Sequence, residues 1–196
     1  ELTEAHRLGP GAKDDKEARV FNRTVRWTNE GLEYEADPRQ AEQLCRDLGL
    51  VGAKPLGTPG VKMLAEQLAA DKPLAGAKAT PFRAVAARAN YLAADRPECQ
   101  YAAKELCRWM ANPTVLSLAA VKRLGRYLEG RRRLVYRYPW QTATHIAVYT
   151  DTDWAGCLRT RKSTSGGCIM LGRHLIKAWS STQKVVSLSS GEAEYY

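Results

Sequence analysis

Two stretches of this sequence place carboxylates where they could hold a metal ion. In the first, Ile146-Ala147-Val148-Tyr149-Thr150 runs into Asp151, Thr152 and Asp153. An apolar run ending in aspartate predicts a strand that delivers a carboxylate at its tip, although an aspartate after a strand is also an ordinary turn residue. The second stretch runs from Ser187 to Tyr196. Ser189 and Glu192 have the spacing of a capping box, in which the serine caps a helix and the glutamate reaches back to its start. Glu194 follows two residues later, about 200° around a helix of 3.6 residues per turn. The two glutamates therefore cannot face the same ion, and the box selects Glu194 as the inward ligand. A first-turn glutamate favoured by the helix dipole is an equal alternative.

A strand and a helix that carry one carboxylate each hold them rigidly. Hard oxygen donors suit Mg²⁺. Two such ions about 4 Å apart neutralise the attacking and leaving oxygens of a phosphodiester. Other residue types offer less. Cys45, Cys99, Cys107, Cys157 and Cys168 form no Cys-x-x-Cys pair and match no zinc template, so they read as reduced, buried thiols. His6, His145 and His174 are scattered and read as surface or packing residues. Asp14-Asp15, between lysines and Gly9-Pro10-Gly11, reads as a solvated loop.

Thirty Lys and Arg against 21 Asp and Glu give a formal net charge of +9 over 196 residues. That excess fits either a basic soluble surface or a polyanionic partner. No apolar run has the roughly 20 residues of a membrane helix, and the first residues lack a signal-peptide pattern. A cytoplasmic or nuclear protein without membrane contact is the expectation.

The elements that must position the carboxylates follow from periodicity. Residues 1–18 read as a flexible arm. Val20, Phe21, Val25 and Trp27, then Leu32, Tyr34 and Ala36, alternate around Asn29-Glu30-Gly31 and predict a β-hairpin. Asp37-Pro38 opens a helix to about Leu48 that Gly49 ends. A Pro- and Gly-rich stretch over 51–80 holds one short helix near Val61–Ala70. Three helices follow over 81–130: one opened by Pro81, one carrying Ala102, Leu106, Trp109 and Met110, and one carrying Leu118, Val121, Leu124 and Leu128 up to Gly130. The last shows a basic side of Lys122, Arg123 and Arg126 that continues into Arg131-Arg132-Arg133. Solvated surface and phosphate contact are equal alternatives for it. Beyond it the period falls to two. Leu134–Tyr136, His145–Asp151, Gly167–Leu171 and Leu175–Trp179 predict strands, and a helix follows from Ser187.

Four ordered blocks carry a resemblance. Tyr149-Thr150-Asp151-Thr152-Asp153-Trp154-Ala155-Gly156, Arg161-Lys162-Ser163-Thr164-Ser165-Gly166-Gly167, Trp179-Ser180-Ser181-Thr182-Gln183-Lys184 and Leu188-Ser189-Ser190-Gly191-Glu192-Ala193-Glu194-Tyr195 resemble the RNase H domain of copia-type retrotransposon polyproteins. Upstream, Lys54-Pro55-Leu56-Gly57-Thr58-Pro59, Asn90-Tyr91-Leu92 with Arg96-Pro97, and Arg126-Tyr127-Leu128-Glu129-Gly130 resemble the tail of the same family's reverse transcriptase. The likeness extends from about Arg19 onward. It implies an α+β chain: the end of a palm-like region over 19–60 (hairpin plus helix), a helical thumb- or connection-like region over 61–133, and a partial RNase H-like antiparallel sheet with a following helix over 134–196. It further implies Mg²⁺-dependent hydrolysis of RNA in RNA–DNA hybrids. Asp151 takes the place of the first catalytic aspartate and Glu194 that of the catalytic glutamate. Asp153 is a secondary ligand, expected to face away from Asp151. Arg161, Lys162 and Ser163, together with the basic helix side, are expected to meet the hybrid backbone. The family's site uses four acidic residues, and the later two are not in this sequence, nor is the polymerase Asp-Asp turn. The expectation is thus a half-site with little activity of its own. The alternative is a non-catalytic nucleic-acid-binding or structural module derived from a transposon, with a protein partner covering an unfinished sheet edge.

Overall fold

The hairpin chemistry of the N-terminal part begins one strand earlier than the apolar pattern indicates. The computed structural model describes residues 7–196; His6 and the first six residues of the expected arm lie outside them. β1 (Glu17–Val20) turns through Phe21 and Asn22 into β2 (Arg23–Thr28), which turns through Asn29 and Glu30 into β3 (Gly31–Glu35). Phe21 and Asn22 take φ of 48° and 66°, the left-handed pair that closes a two-residue hairpin. Val20 and Phe21 therefore belong to a first hairpin, β1–β2, whose second strand carries Val25 and Trp27 and is shared with the hairpin β2–β3. Gly31 has no substitute, because a Cβ there would collide with the backbone at Tyr138.

That collision reflects a long-range pairing. β4 (Val135–Pro139) lies antiparallel to β3, completing a sheet in the order β1-β2-β3-β4. The sequence groups this strand with the C-terminal segment, but its partner is more than 100 positions upstream of the last strands. The pairing suits both faces. Tyr34 sits opposite Tyr136 and Leu32 opposite Tyr138, with ring contacts between Tyr34 and Tyr136 and between Tyr136 and Tyr138. On the other face Glu17, Arg26, Glu33 and Arg137 alternate in sign across the four strands. Each such opposite-charge pair contributes about 0.2–1 kcal/mol.

The helices form the core. Asp37 caps α1 (Pro38–Asp47) by accepting from Arg39 N at 3.1 Å, and Ala41, Leu44 and Cys45 line its buried side. α2 (Ala65–Ala69) is short and contributes no fully buried residue. α3 (Gly76–Ala93) starts at Gly76, so Pro81 lies inside it. A proline there costs a backbone hydrogen bond. The alanine-rich turns around it and the burial of Ala79, Phe82, Val85 and Ala86 offset that cost. A 3₁₀ turn (Pro97–Cys99) leads into α4 (Gln100–Cys107). Trp109 and Met110 lie just past the end of α4, where the predicted helix included them. α5 (Val115–Glu129) is capped by Thr114, whose side chain accepts from Ser117 N. Leu44, Phe82, Leu106, Leu124 and Leu128 meet at the centre of one cluster.

The C-terminal part is a second sheet, β5 (Ile146–Asp153), β6 (Thr164–Leu171) and β7 (His174–Thr182), antiparallel and in that order, followed by α6 (Ser190–Tyr195). It docks on α4 through polar contacts. Gln100 Nε2 donates to Ala178 O at 3.2 Å and Lys104 Nζ to Thr164 Oγ1 at 2.8 Å. His174 bridges the two sheets, with Nε2 2.8 Å from Pro139 O and its ring edge-on to Tyr138. His145 is exposed. The fold is mixed α+β: antiparallel strands first, helices in the middle, then an antiparallel sheet and a helix. Among the described residues no helix is long and apolar enough to cross a membrane.

Candidate functional site

The end of β5 and the start of α6 come together. Ser189 Oγ accepts from Glu192 N at 3.1 Å, as the cap predicts, and the Glu192 carboxylate accepts from Leu188 N at 2.7 Å. The return bond reaches one residue further back than a standard box, yet it occupies Glu192 in the same way. Glu194 instead turns to the strand: its Oε1 accepts from Thr152 N at 3.1 Å. Its carboxylate thus lies against the peptide that follows Asp151. Asp151 is exposed, and its side chain has no hydrogen-bond or ion-pair partner among the described residues. Among the described residues there is no group of three or more His, Cys, Asp or Glu able to hold a metal.

Asp153 differs in its partner. Residues two apart on a strand share a face, so alternation does not separate it from Asp151. Its Oδ1 pairs with Lys62 Nζ at 2.8 Å, where it lines a cavity of about 900 Å³ between the segment 59–68, α4, α5 and the loop after β5. Gly156 lies so close beneath the Asp153 carboxylate that any Cβ would displace it.

Gln183 fixes this arrangement. It is buried, and its Nε2 donates to Ser165 Oγ at 2.9 Å and to Ala193 O at 2.7 Å, while its Oε1 accepts from Ser187 Oγ at 3.0 Å. Thr152 Oγ1 also donates to Ala193 O. One side chain therefore ties β6 and the lead-in to α6 together and sets where Glu194 falls. Sequence reasoning gave Gln183 no role. Its only signal was a polar residue beside the serine-rich end of β7.

The basic residues divide by partner. Arg161 is exposed in the loop before β6, with φ of 56°. Lys162 donates to Lys184 O at 2.7 Å. Ser163 is fully buried and its Oγ accepts from Ala155 N at 3.0 Å, so it braces the loop from inside. On α5, Arg123 donates to Thr58 Oγ1 at 2.7 Å and Arg126 to Lys54 O at 2.8 Å. The chain's own segment 54–58 thus lies along the basic side. Lys122 is exposed. Arg131 stacks on Tyr127 and reaches Gly57 O. Arg132 pairs with Glu129, and Arg133 Nε with Glu35 at 2.6 Å. Glu35 is buried between Arg133 and Arg26, and these guanidiniums, Arg133 foremost, hold its carboxyl below the usual range. Arg132 and Arg133 are therefore structural ion-pair partners, and Lys122 and Arg161 are the freest cations of the set.

The five cysteines are free. Burial pushes the Cys45 thiol up to about 11 and Cys99 up to about 12. Cys157, at the cavity edge, is different. Partial burial pushes it up, but hydrogen bonds from Thr160 and from Arg108, whose Nη2 lies 2.6 Å from Sγ, outweigh this and bring it to about 7.

Comparison with known proteins gives sequence relatives only. The chain is 32% identical over 157 residues to an uncharacterized mitochondrial protein of Arabidopsis thaliana, covering 80% of this chain and 64% of that protein. It is 39% identical over 95 residues to the retrovirus-related Pol polyprotein from transposon RE1 of Arabidopsis thaliana, covering 48% of this chain and 6% of the polyprotein. It is also 32% identical over 90 residues to secreted RxLR effector protein 161 of Plasmopara viticola, covering 46% of this chain and 63% of the effector. The chain thus spans under two thirds of each of these relatives. No protein-family model matches it, and no solved structure does. The retrovirus-related Pol polyprotein from transposon RE2 of Arabidopsis thaliana is similar over the same length as that from RE1, at 38% identity over 95 residues.

Proposed function

We propose that this retrotransposon-derived chain joins the end of a reverse transcriptase to the opening of an RNase H domain. The chemistry of that domain is Mg²⁺-dependent hydrolysis of RNA in RNA–DNA hybrids. The supporting observation is the Glu194 carboxylate held 3.1 Å from Thr152 N, beside Asp151. The donor set fits Mg²⁺ in kind, since both groups are hard carboxylates and Asp151 is unengaged. It is short in number, so these two residues are a half-site. Asp151 and Glu194 would hold the ion, which when bound supplies charge neutralisation at the phosphodiester oxygens. Asp153, already paired with Lys62, is a lesser ligand. Lys122 and Arg161 would lie along the hybrid backbone as point charges, a contact that weakens with salt.

A second reading is a non-catalytic nucleic-acid-binding module, favoured by the missing third carboxylate among the described residues. One experiment separates the two. The chain is titrated with a labelled RNA–DNA hybrid over a salt series, with and without Mg²⁺, and cleavage is followed in parallel. Binding that tightens with Mg²⁺, and loses this response in Asp151→Asn, is the expected result. Salt-dependent binding indifferent to Mg²⁺ and to Asp151→Asn supports the non-catalytic module. Absence of binding overturns both.

A further inference from the structure

The cavity of about 900 Å³ bordered by Asp153 and Cys157 is walled by the segment 59–68, α4, α5 and the loop after β5. Its size is that of a small-molecule site. Its lining is graded along α5. Leu116, Ala119, Ala120, Arg123 and Arg126 recur at helical spacing, so they form one stripe on that helix. The stripe is apolar at its N-terminal end and basic at its C-terminal end. A rise of about 1.5 Å per residue sets Leu116 and Arg126 about 15 Å apart along the axis.

The two ends differ in what they lack. At the apolar end Leu68 and Leu106 join the stripe, and Leu64 and Leu158 are exposed beside it. Apolar surface gathered in one concave, water-exposed place marks a binding site. At the basic end no carboxylate pairs with Arg123 or Arg126 among the described residues. Arg123 Nη2 donates to Thr58 Oγ1 and Arg126 Nε to Lys54 O, both neutral acceptors, and Arg123 Nε is enclosed without an acceptor. Other cations of the wall are engaged: Lys62 by Asp153, Arg108 by Glu105 and Arg159 by the Trp109 ring.

We propose that this cavity binds a medium-chain fatty acid, with the hydrocarbon chain along Leu116, Ala119 and Ala120 and the carboxylate at Arg123 and Arg126. The head supplies what the two guanidiniums lack, a charged acceptor. The chain covers the apolar wall and asks for no hydrogen bond. That selects a hydrocarbon over a peptide segment, whose N–H and C=O groups would go unpaired against Leu68, Leu106 and Leu116. The site lies beyond the nuclease chemistry and uses neither Asp151 nor Glu194.

Isothermal titration calorimetry of the full 196-residue chain with dodecanoate, kept below its micelle-forming concentration, tests this. The expected result is one saturable site per chain, with an affinity that rises roughly fourfold per methylene from octanoate to dodecanoate. Saturation should slow alkylation of Cys157, which lines the same cavity, and leave Cys168, which does not, unaffected. Arg123→Met should weaken dodecanoate by at least about tenfold and leave dodecanol unchanged. Arg123 is partly exposed, so the fold, followed by circular dichroism, is expected to persist. Ala120→Trp, which fills the trough from α5, should weaken both ligands. Absence of a saturable site, an affinity indifferent to chain length, or Cys157 alkylated as fast with dodecanoate as without it overturns the proposal. Unchanged dodecanoate affinity in Arg123→Met overturns the placement of the head.

Discussion

The two sheets of this protein use their hydrophobic residues in opposite ways. The N-terminal sheet turns a tyrosine-rich face to the helices and balances its other face with alternating charge. Just past α3, Tyr34 donates to the Asp95 carboxylate and Tyr136 to the Asp95 backbone carbonyl, and Arg23 closes on the carboxylate at 2.8 Å. Among the described residues neither sheet contributes to the fully buried apolar set, where Ala193 belongs to α6, but β2–β4 keep Val25, Trp27, Leu32, Tyr34 and Tyr136 half-buried. In the C-terminal sheet Ile146, Val148, Tyr149 and Ile176 face solvent, and that sheet is held by Gln100, Lys104, Arg108 and Gln183 through hydrogen bonds. One region is stabilised by burial. The other is positioned by polar ties and left open where its carboxylates are. An accessible carboxylate pair and a closed apolar core are competing demands, and the molecule separates them between its two halves.

The largest effect should therefore come from the helical core. Phe82 is 1% exposed in the central cluster. Phe82→Ala removes a full aromatic side chain from packed surroundings and should cost about 3–5 kcal/mol in urea unfolding. Val148→Ala, in the open sheet, should stay within about 0.5 kcal/mol. Equal costs would erase the distinction drawn between the regions.

Glu35→Gln tests the charged side of the closed region. It removes the acceptor shared by Arg133 and Arg26 and should cost about 1–3 kcal/mol at neutral pH. The pH dependence has a definite sign. Glu35 has a folded-state value below its unfolded one, so its contribution is present above about pH 4.3 and is lost as pH falls through the lower folded value. Wild-type and variant stabilities should converge in acid. A gap that stays constant down to strongly acidic pH would remove the ion pairs as its cause.

In the open region, Gln183→Ala should leave global stability less affected than Phe82→Ala while releasing α6. Hydrogen exchange over 187–196 is the measurement, since the Ala193 and Ser187 ties are cut together. Unchanged protection there would mean that something other than Gln183 sets the position of Glu194.

The same contrast explains what the sequence made legible. Helices α1 and α5 are readable because their burial is periodic, and Asp37 marks the start of α1 locally. The separation of Glu194 from Glu192 is readable for the same reason, since capping acts within four residues. β4 is not, because nothing near Val135 indicates that its partner is Gly31–Glu35. The start of α3 is hidden too, since a proline is an ordinary first-turn residue and here lies inside the helix. The roles of Arg132, Arg133 and Ser163 were invisible for a related reason. A basic triplet looks available until Glu129 and Glu35 arrive, and a serine in a basic loop looks exposed until the loop closes over it. Local chemistry was legible, and partners brought from a distance were not.

The smallest structural perturbation with a clear readout is at Cys157, where the open region exposes a reactive group that the closed region would have silenced. Cys45 and Cys99 sit in the helical core with thiols pushed far up, and Cys107 is raised as well. Cys157 lies at the cavity edge with Arg108 against its sulfur, and its value is about 7. The thiolate is the nucleophile. Near pH 7.5, alkylation by iodoacetamide, located by peptide mass mapping, should therefore reach Cys157 before the other four, with its rate rising through pH 7. Arg108→Met removes a cation and donor while keeping the length of the side chain. It should move that rise to higher pH and slow the reaction at neutrality, leaving the rates at Cys45 and Cys99 unchanged. If Cys45 or Cys99 reacts as fast as Cys157, the helical core opens on the timescale of labelling and is not the sealed half of this molecule.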